Sequence, residues 1–430
     1  MGEVTRTELF PYVFLTHLQT DKFKTNTLSI TLLTQLDRET AAKNAVLPRV
    51  LLRGTDKYPD MEQIAQRLDE LYGAQIEQLV RKKGEIQCVE LYANFVDDSM
   101  LPAGEGIFEK VTDLLGEILL KPAKKMGKLC EDYVNSERAK LIDEIQGRIN
   151  NKIVYAIGRL DELMCDGEAF ATYRLGTEAE AETIEAASLT SHYQTLLETA
   201  PIEIIYTGRA SVDEVTEAVT KALKDLPRGE PDLDLGTDVR MNSVAETARA
   251  FTEEMDVTQG QLSMGFRLGE CMEEPNYPAL ELFHNLYGGS VTSKLFLNVR
   301  ERLSLCYFAS SILEKHKGLL LVISGIEFAK YEEAKAEILA QLQAIATGDI
   351  TDEELLWAKR AMMTDLAMLK DDQNTLQDFY LSQTILGEDD SIEEIIAKVE
   401  QIEKQDLIEI ANSLQLDAVY FLKGAEGAGA

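Results

Sequence analysis

The apolar residues of this chain fall into two runs of elements in the same order. In the first run, Leu28, Ile30 and Leu32 alternate with polar residues in "TNTLSITLLTQLD" (Thr25–Asp37), which predicts a strand. A helix follows from about Glu39 to Arg53. "DMEQIAQRLDELYGA" places Met61, Ile64, Ala65, Leu68 and Leu71 at helical spacing, with Gly73 as the C-cap. "EIQCVELYANFV" reads as a strand. Two long helical stretches come next, "GEGIFEKVTDLLGEILLK" and "CEDYVNSERAKLIDEIQGRINNK". The run closes on strand "IEIIYTG" and helix "SVDEVTEAVTKALKDL".

The second run begins with strand "QGQLSMGFRLG" and helix "NYPALELFHNLYGG", the latter capped by Gly288. "SKLFLNVRERL" is another helix. "CYFASSILEKHKGLLLVISGIE" reads as a hairpin turning at His316 to Gly318. Helices "YEEAKAEILAQLQAIATG", "TDEELLWAKRAMMTDLAML" and "SIEEIIAKVEQIEK" precede a last strand, "AVYFLKG". "PRGEPDLDLGTDVRMN" between the runs is rich in Pro, Gly and Asp and reads as a linker over 227–242, between domains at 1–226 and 243–430. The expected fold class is α+β: two homologous domains, each a mostly antiparallel sheet covered by helices. Similarity at a period of roughly 210 residues points to domain duplication rather than a solenoid.

A chain of 430 residues is too long for one ordinary core, in keeping with two domains. The net charge of −32 argues against nucleic acid as a partner, because phosphates call for clustered Lys and Arg. The plainer reading of that charge is a solubilising acidic surface; the sharper one is an acidic cavity that attracts basic peptides. "MGEVTRTELFPYVFL" lacks a basic region followed by a long apolar core, so it does not read as a signal peptide. "MGEVTR" misses a myristoylation pattern at Arg6. No run approaches a membrane-spanning length, and no membrane association is expected. The five Cys are far apart and without CxxC spacing, which fits reduced thiols and a cytoplasmic location. The four His are scattered, and each reads more simply as a surface or core residue than as a metal ligand.

One stretch stands out. "NAVLPRVLLRGT" (Asn44–Thr55) has the shape of a helix ending at Gly54, with Pro48 inside it and Ala45 and Arg49 four apart on one face. The Pro either breaks the helix, at about 3 kcal/mol, or starts a shorter helix at its first position.

The whole chain resembles the pitrilysin/insulinase-type zinc peptidases, which include the mitochondrial processing peptidase. "LLRGT" (Leu51–Thr55) resembles the segment after the family's zinc helix. "SERAKLIDEI" (Ser136–Ile145) resembles the stretch that supplies its third zinc ligand, and "GRASVDEV" the end of its first domain. "YGGSVTSKLFLNVRERLSLCY" (Tyr287–Tyr307) resembles its glycine-rich turn, helix and Arg…Tyr pair. Active members carry His-x-x-Glu-His a short fixed distance before Gly-Thr. Counting back from Gly54, those places hold Ala45, Pro48 and Arg49. Zinc hydrolysis needs two imidazoles one turn apart and a carboxylate to take a proton from bound water. An Ala has no lone pair to donate, a Pro accepts no proton, and an Arg repels a cation.

The resemblance makes Glu144 the match for the third ligand and Glu137 its companion seven residues earlier, although the gap from Arg49 to Glu144 is longer than the family's. It makes Arg300 and Tyr307 the pair that holds a peptide backbone by donating to carbonyl oxygens. The plainer reading pairs Arg300 with Glu301 or a neighbour and packs Tyr307 in a strand. Gly288, Gly289 and Ser290 match the glycine-rich turn, where positive φ or close backbone approach would use glycine; for Gly288 a simple helix C-cap is the plainer reading.

The expected function is a non-catalytic subunit that binds no zinc itself. It would lend peptide-substrate binding to a zinc-bearing paralogous subunit and add the peptide to a sheet edge. A homodimer is expected as an option for the isolated chain. The alternatives are a stand-alone scaffold or peptide-binding protein of the same fold, and an active peptidase with an unfamiliar metal site.

Overall fold

The computed structural model describes residues 4–102 and 104–424. The first part of the chain contributes strands β1 (Val4–Phe10), β2 (Val13–Gln19), β3 (Thr25–Gln35), β4 (Gln75–Lys83) and β5 (Ile86–Val96). A two-residue ribbon, β6 (Lys124–Lys125) and β7 (Lys128–Leu129), and strand β8 (Ile202–Gly208) complete its strands. Its helices are α1 (Ala41–Leu51), α2 (Met61–Glu70), α3 (Ile107–Leu120), α4 (Glu131–Gly147), α5 (Lys152–Met164), α6 (Glu178–Glu182), α7 (Ala186–Thr199) and α8 (Val212–Ala222). The second part has β9 (Arg249–Met255), β10 (Gly260–Arg267), β11 (Cys306–Glu314), β12 (Leu319–Ile326) and β13 (Gln415–Gly424). Its helices are α9 (Tyr277–His284), α10 (Tyr331–Ala346), α11 (Asp352–Leu369), α12 (Gln373–Leu386), α13 (Ile392–Gln401) and α14 (Lys404–Ser413).

The strand orders are β1-β2-β8-β3-β5-β4 and β11-β12-β10-β13-β9. Leaving out β1, the two orders match strand for strand. In each, one parallel pair (β2 with β8, β9 with β13) lies beside antiparallel neighbours. The α+β duplication expected from the sequence is therefore present in the topology. The central strands are buried on both faces, and β8 and β10 are buried along their whole lengths.

The compact units do not follow the chain as two uninterrupted blocks. The first unit holds the chain up to Gln146, Thr172–Gly236 and Asp372–Ile385; the second holds Gly147–Ala171, Thr237–Asp371 and the chain from Leu386. This differs from a simple division at 226 and 243, because helix α5 covers the second sheet and α12 covers the first. Helix α5 buries Ala156, Leu160 and Met164 in the core of the second unit, and each large apolar side chain so buried contributes roughly 1.5–3 kcal/mol. Gly265 on β10 makes room for it, since a Cβ there would lie 2.3 Å from the Met164 sulfur. Helix α12 buries Leu376, Tyr380 and Leu381 and is held by amides as well. Gln373 Nε2 donates to the Thr25 and Thr207 carbonyls at 3.0 and 3.1 Å, and Gln377 Nε2 donates to Thr27 Oγ1 at 2.9 Å.

The expected helix "CEDYVNSERAKLIDEIQGRINNK" ends at Gly147, and the chain restarts as α5. "SIEEIIAKVEQIEK" divides at Ile402, where extended backbone separates α13 from α14. Among the described residues, no helix is long and apolar enough to cross a membrane.

Candidate functional site

Helix α1 runs from Ala41 to Leu51, so it stops three residues before Gly54. Pro48 lies inside it and does not start it. The last turn still closes, because Leu52 N–H donates to the Pro48 carbonyl at 3.2 Å. Gly54 is required by packing: a Cβ would lie 2.4 Å from the Pro59 carbonyl oxygen. Ala45 is fully buried among the apolar residues of the first unit, and Pro48 is buried beside it in sequence.

Arg49 turns to α4. Its Nη2 donates to Glu144 Oε2 at 2.7 Å, and Arg174 Nη2 stands 4.0 Å from the other oxygen of the same carboxylate. One turn further along, Arg53 Nη1 donates to Glu137 Oε1 at 2.7 Å and lies over the Tyr133 ring at 4.9 Å. Lys140 Nζ reaches the same Glu137 oxygen at 2.8 Å. Burial alone would raise the Glu137 pKa; the hydrogen bonds from Lys140 and Arg53 outweigh it and hold the carboxyl below its ordinary range. Both carboxylates that match the zinc-ligand stretch thus face cations supplied by the chain.

These residues do not fit a zinc ion. A bound cation would meet the guanidinium of Arg49 at the carboxylate meant to hold it, and like charges at that range repel. Among the described residues, no group of three or more His, Cys, Asp or Glu is placed to hold a metal. His17, His192 and His284 are engaged with Ala210 O, Asn44 Oδ1 and Ser311 O.

A polar network behind α1 carries no motif and was not read from the sequence. Gln87 Nε2 donates to the Ala41 and Arg174 carbonyls, which leaves its Oε1 to accept from Asn44 Nδ2 at 2.8 Å. Asn44 Oδ1 must then accept, so His192 Nε2 carries the proton across 2.6 Å. Burial, helped by Lys43, depresses the His192 pKa to about 4. The unfolded chain takes up this proton below about pH 6.5 while the folded one refuses it. Stability from this site is therefore complete above pH 6.5 and is lost as pH falls toward 4, reaching about 2 kcal/mol by pH 5. Urea unfolding of wild type and His192→Gln across pH 7 to 5 checks this: the variant should show the shallower decline.

In the second unit, Arg300 Nε lies 3.6 Å from Glu301 Oε1, and its guanidinium sits 4.7 Å from the Phe296 ring centroid. Tyr307 is on β11, an edge strand. It is the extra residue of a bulge between Cys306 and Phe308 and is 64 % exposed. A bulge on an edge strand re-aims a side chain. Residues 295–302 around Arg300 are wound as a π-helix, a form that recurs at functional positions.

Gly288 does not cap a helix. Helix α9 passes at His284 straight into a π-helical turn, Asn285–Gly289, which ends at extended Ser290, whose hydroxyl donates to the Asn285 carbonyl at 3.1 Å. Neither glycine has positive φ. Both are there for close approach: a Cβ on Gly288 would lie 2.7 Å from Ser311 Oγ, and one on Gly289 2.6 Å from the His284 ring.

A twice-built α+β chain whose would-be zinc helix carries alanine, proline and an ion-paired arginine is a metallopeptidase-like protein without the means to hold the metal. It belongs to the M16 peptidase family. The chain is 33% identical over 413 residues to the probable inactive metalloprotease YmfF of Bacillus subtilis, covering 96% of each chain. The family description "Peptidase M16 inactive domain" matches residues 183–362. Its fold superposes on a conserved protein of Enterococcus faecalis with a TM-score of 0.87 at 26% identity, over 99% of both chains. It also superposes on a peptidase M16 inactive domain of Pseudomonas fluorescens, with a TM-score of 0.81 at 16% identity, over 99% of both.

Proposed function

We propose that this chain is the zinc-free subunit of a cytoplasmic two-subunit processing peptidase. It lends peptide binding, through Arg300 and Tyr307, to a zinc-bearing paralogue. The reading rests above all on the 2.7 Å pair between Arg49 and Glu144, which puts an internal cation where a catalytic chain needs a metal ligand. The peptide would add to the free edge of β11, next to the exposed phenol of Tyr307. Arg300 is 40 % exposed and only loosely paired with Glu301, so its donors can turn to a peptide carbonyl. All five cysteines are unpaired, in keeping with a reducing compartment.

The test is affinity isolation from the native cell, followed by reconstitution. A zinc-bearing paralogue should co-purify, and Arg300→Ala should lower turnover of the pair by about a hundredfold or more while leaving assembly intact. Undiminished turnover would remove the role given to Arg300. The second reading is a stand-alone scaffold or peptide-holding protein. Co-purification of an unrelated partner would select it.

A further inference from the structure

The geometry points to an anion site in the first unit, of a size and charge for a small oligophosphate, independent of the subunit reading. A cavity of about 320 Å³ lies beside the α3–α8 contact. Six of its fourteen lining residues are cationic: Lys57, Arg67, Lys110, Lys121, Lys221 and Lys224. The whole chain has only 43 Lys and Arg in 430 residues, against 75 Asp and Glu. Three carboxylates also line the cavity, those of Asp113, Glu117 and Asp225, and they leave the balance positive. The cations are poorly neutralised. Lys221 stands 3.7 Å from Asp113, Lys121 3.8 Å from Asp225, and Lys110 3.9 Å from Glu105, all beyond hydrogen-bond length. Among the described residues Lys57 and Lys224 have no carboxylate partner, and Arg67 alone is hydrogen-bonded to one, Glu70 at 2.9 Å.

The walls are fixed. A Cβ on Gly116 of α3 would meet the Ala222 carbonyl oxygen of α8 at 2.7 Å, so the two helices touch at backbone level. The loop bearing Lys57 and Tyr58 is tied down by Asp56 N–H to the Lys121 carbonyl at 2.9 Å and Thr55 N–H to the Tyr58 carbonyl at 2.7 Å. The backbone that carries these cations is thereby fixed, which lowers the cost of gathering them around a polyanion.

The probe is tripolyphosphate, titrated calorimetrically into the full chain at low and high sodium chloride. One site per chain is expected at low salt, weakened about tenfold at high salt. The double variant Lys221→Gln/Lys224→Gln should bind about tenfold more weakly, while Lys128→Gln, outside the cavity, should bind as wild type does. No binding by wild type at low salt would overturn the proposal, and so would equal binding by the double variant.

Discussion

Replacing Glu168 with alanine should cost the second unit about 3–5 kcal/mol, among the largest effects open to any single change in this chain. Glu168, Asp417, Arg267 and Lys317 all have fully buried side chains. Arg267 Nη2 meets Glu168 at 2.6 Å, Arg267 Nε meets Asp417 at 2.9 Å, and Lys317 Nζ meets Glu168 at 2.7 Å. Two acids balance two bases. Burial alone would raise the Glu168 pKa, but hydrogen bonds from Arg267 and Lys317 prevail and keep it below its ordinary range. Without Glu168, Arg267 keeps Asp417, which Arg249 also contacts at 2.9 Å, and Lys317 loses its 2.7 Å carboxylate contact inside the core. Glu168→Gln should cost less, since the amide oxygen still accepts. Because Glu168 follows α5, the loss also tests whether that segment closes on the second sheet. Urea unfolding at neutral pH measures it, and a change below about 1 kcal/mol would show that it does not.

Ala45→His is expected to destabilise the first unit by about 2–4 kcal/mol, although it restores a residue the family's active members carry. Ala45 has no exposed surface and belongs to the apolar core. An imidazole there must displace packed side chains and find a hydrogen-bond partner among aliphatic groups. Position 45 is core, so placing an imidazole there takes repacking of its neighbours. Thermal melts compare the variant with Ala45→Val, which adds volume without polarity. If both melt as wild type does, position 45 still opens to a cavity.

Much of the fold was legible because its central elements are regular. Strand β3 alternates and α2 keeps helical period, although its C-cap is Leu71, two residues before the expected Gly73, with Tyr72 already at φ +59°. Edge strands were harder: β4 ("QIEQLVRKK") and β9 ("RAFTEEM") mix charges into a half-exposed pattern. Helix α12 was missed for a different reason. It buries Gln373, Gln377, Ser382 and Gln383 beside Leu376, Tyr380 and Leu381, and the polar residues dilute the apolar stripe. The exchange of α5 and α12 leaves no local trace, because it depends on which sheet each helix meets. At the site, the incompatibility of Arg49 with zinc follows from its chemistry. Its ion pair with Glu144, across 95 positions, does not. The link from Gln87 through Asn44 to His192 joins residues with no common spacing and could only be seen folded.

The most direct test of the account is metal analysis of the isolated chain after exposure to excess zinc and removal of loosely held ions. No stoichiometric zinc is expected, with Arg49 and Glu144 still paired. One zinc retained per chain, and lost in Glu144→Gln, would contradict it.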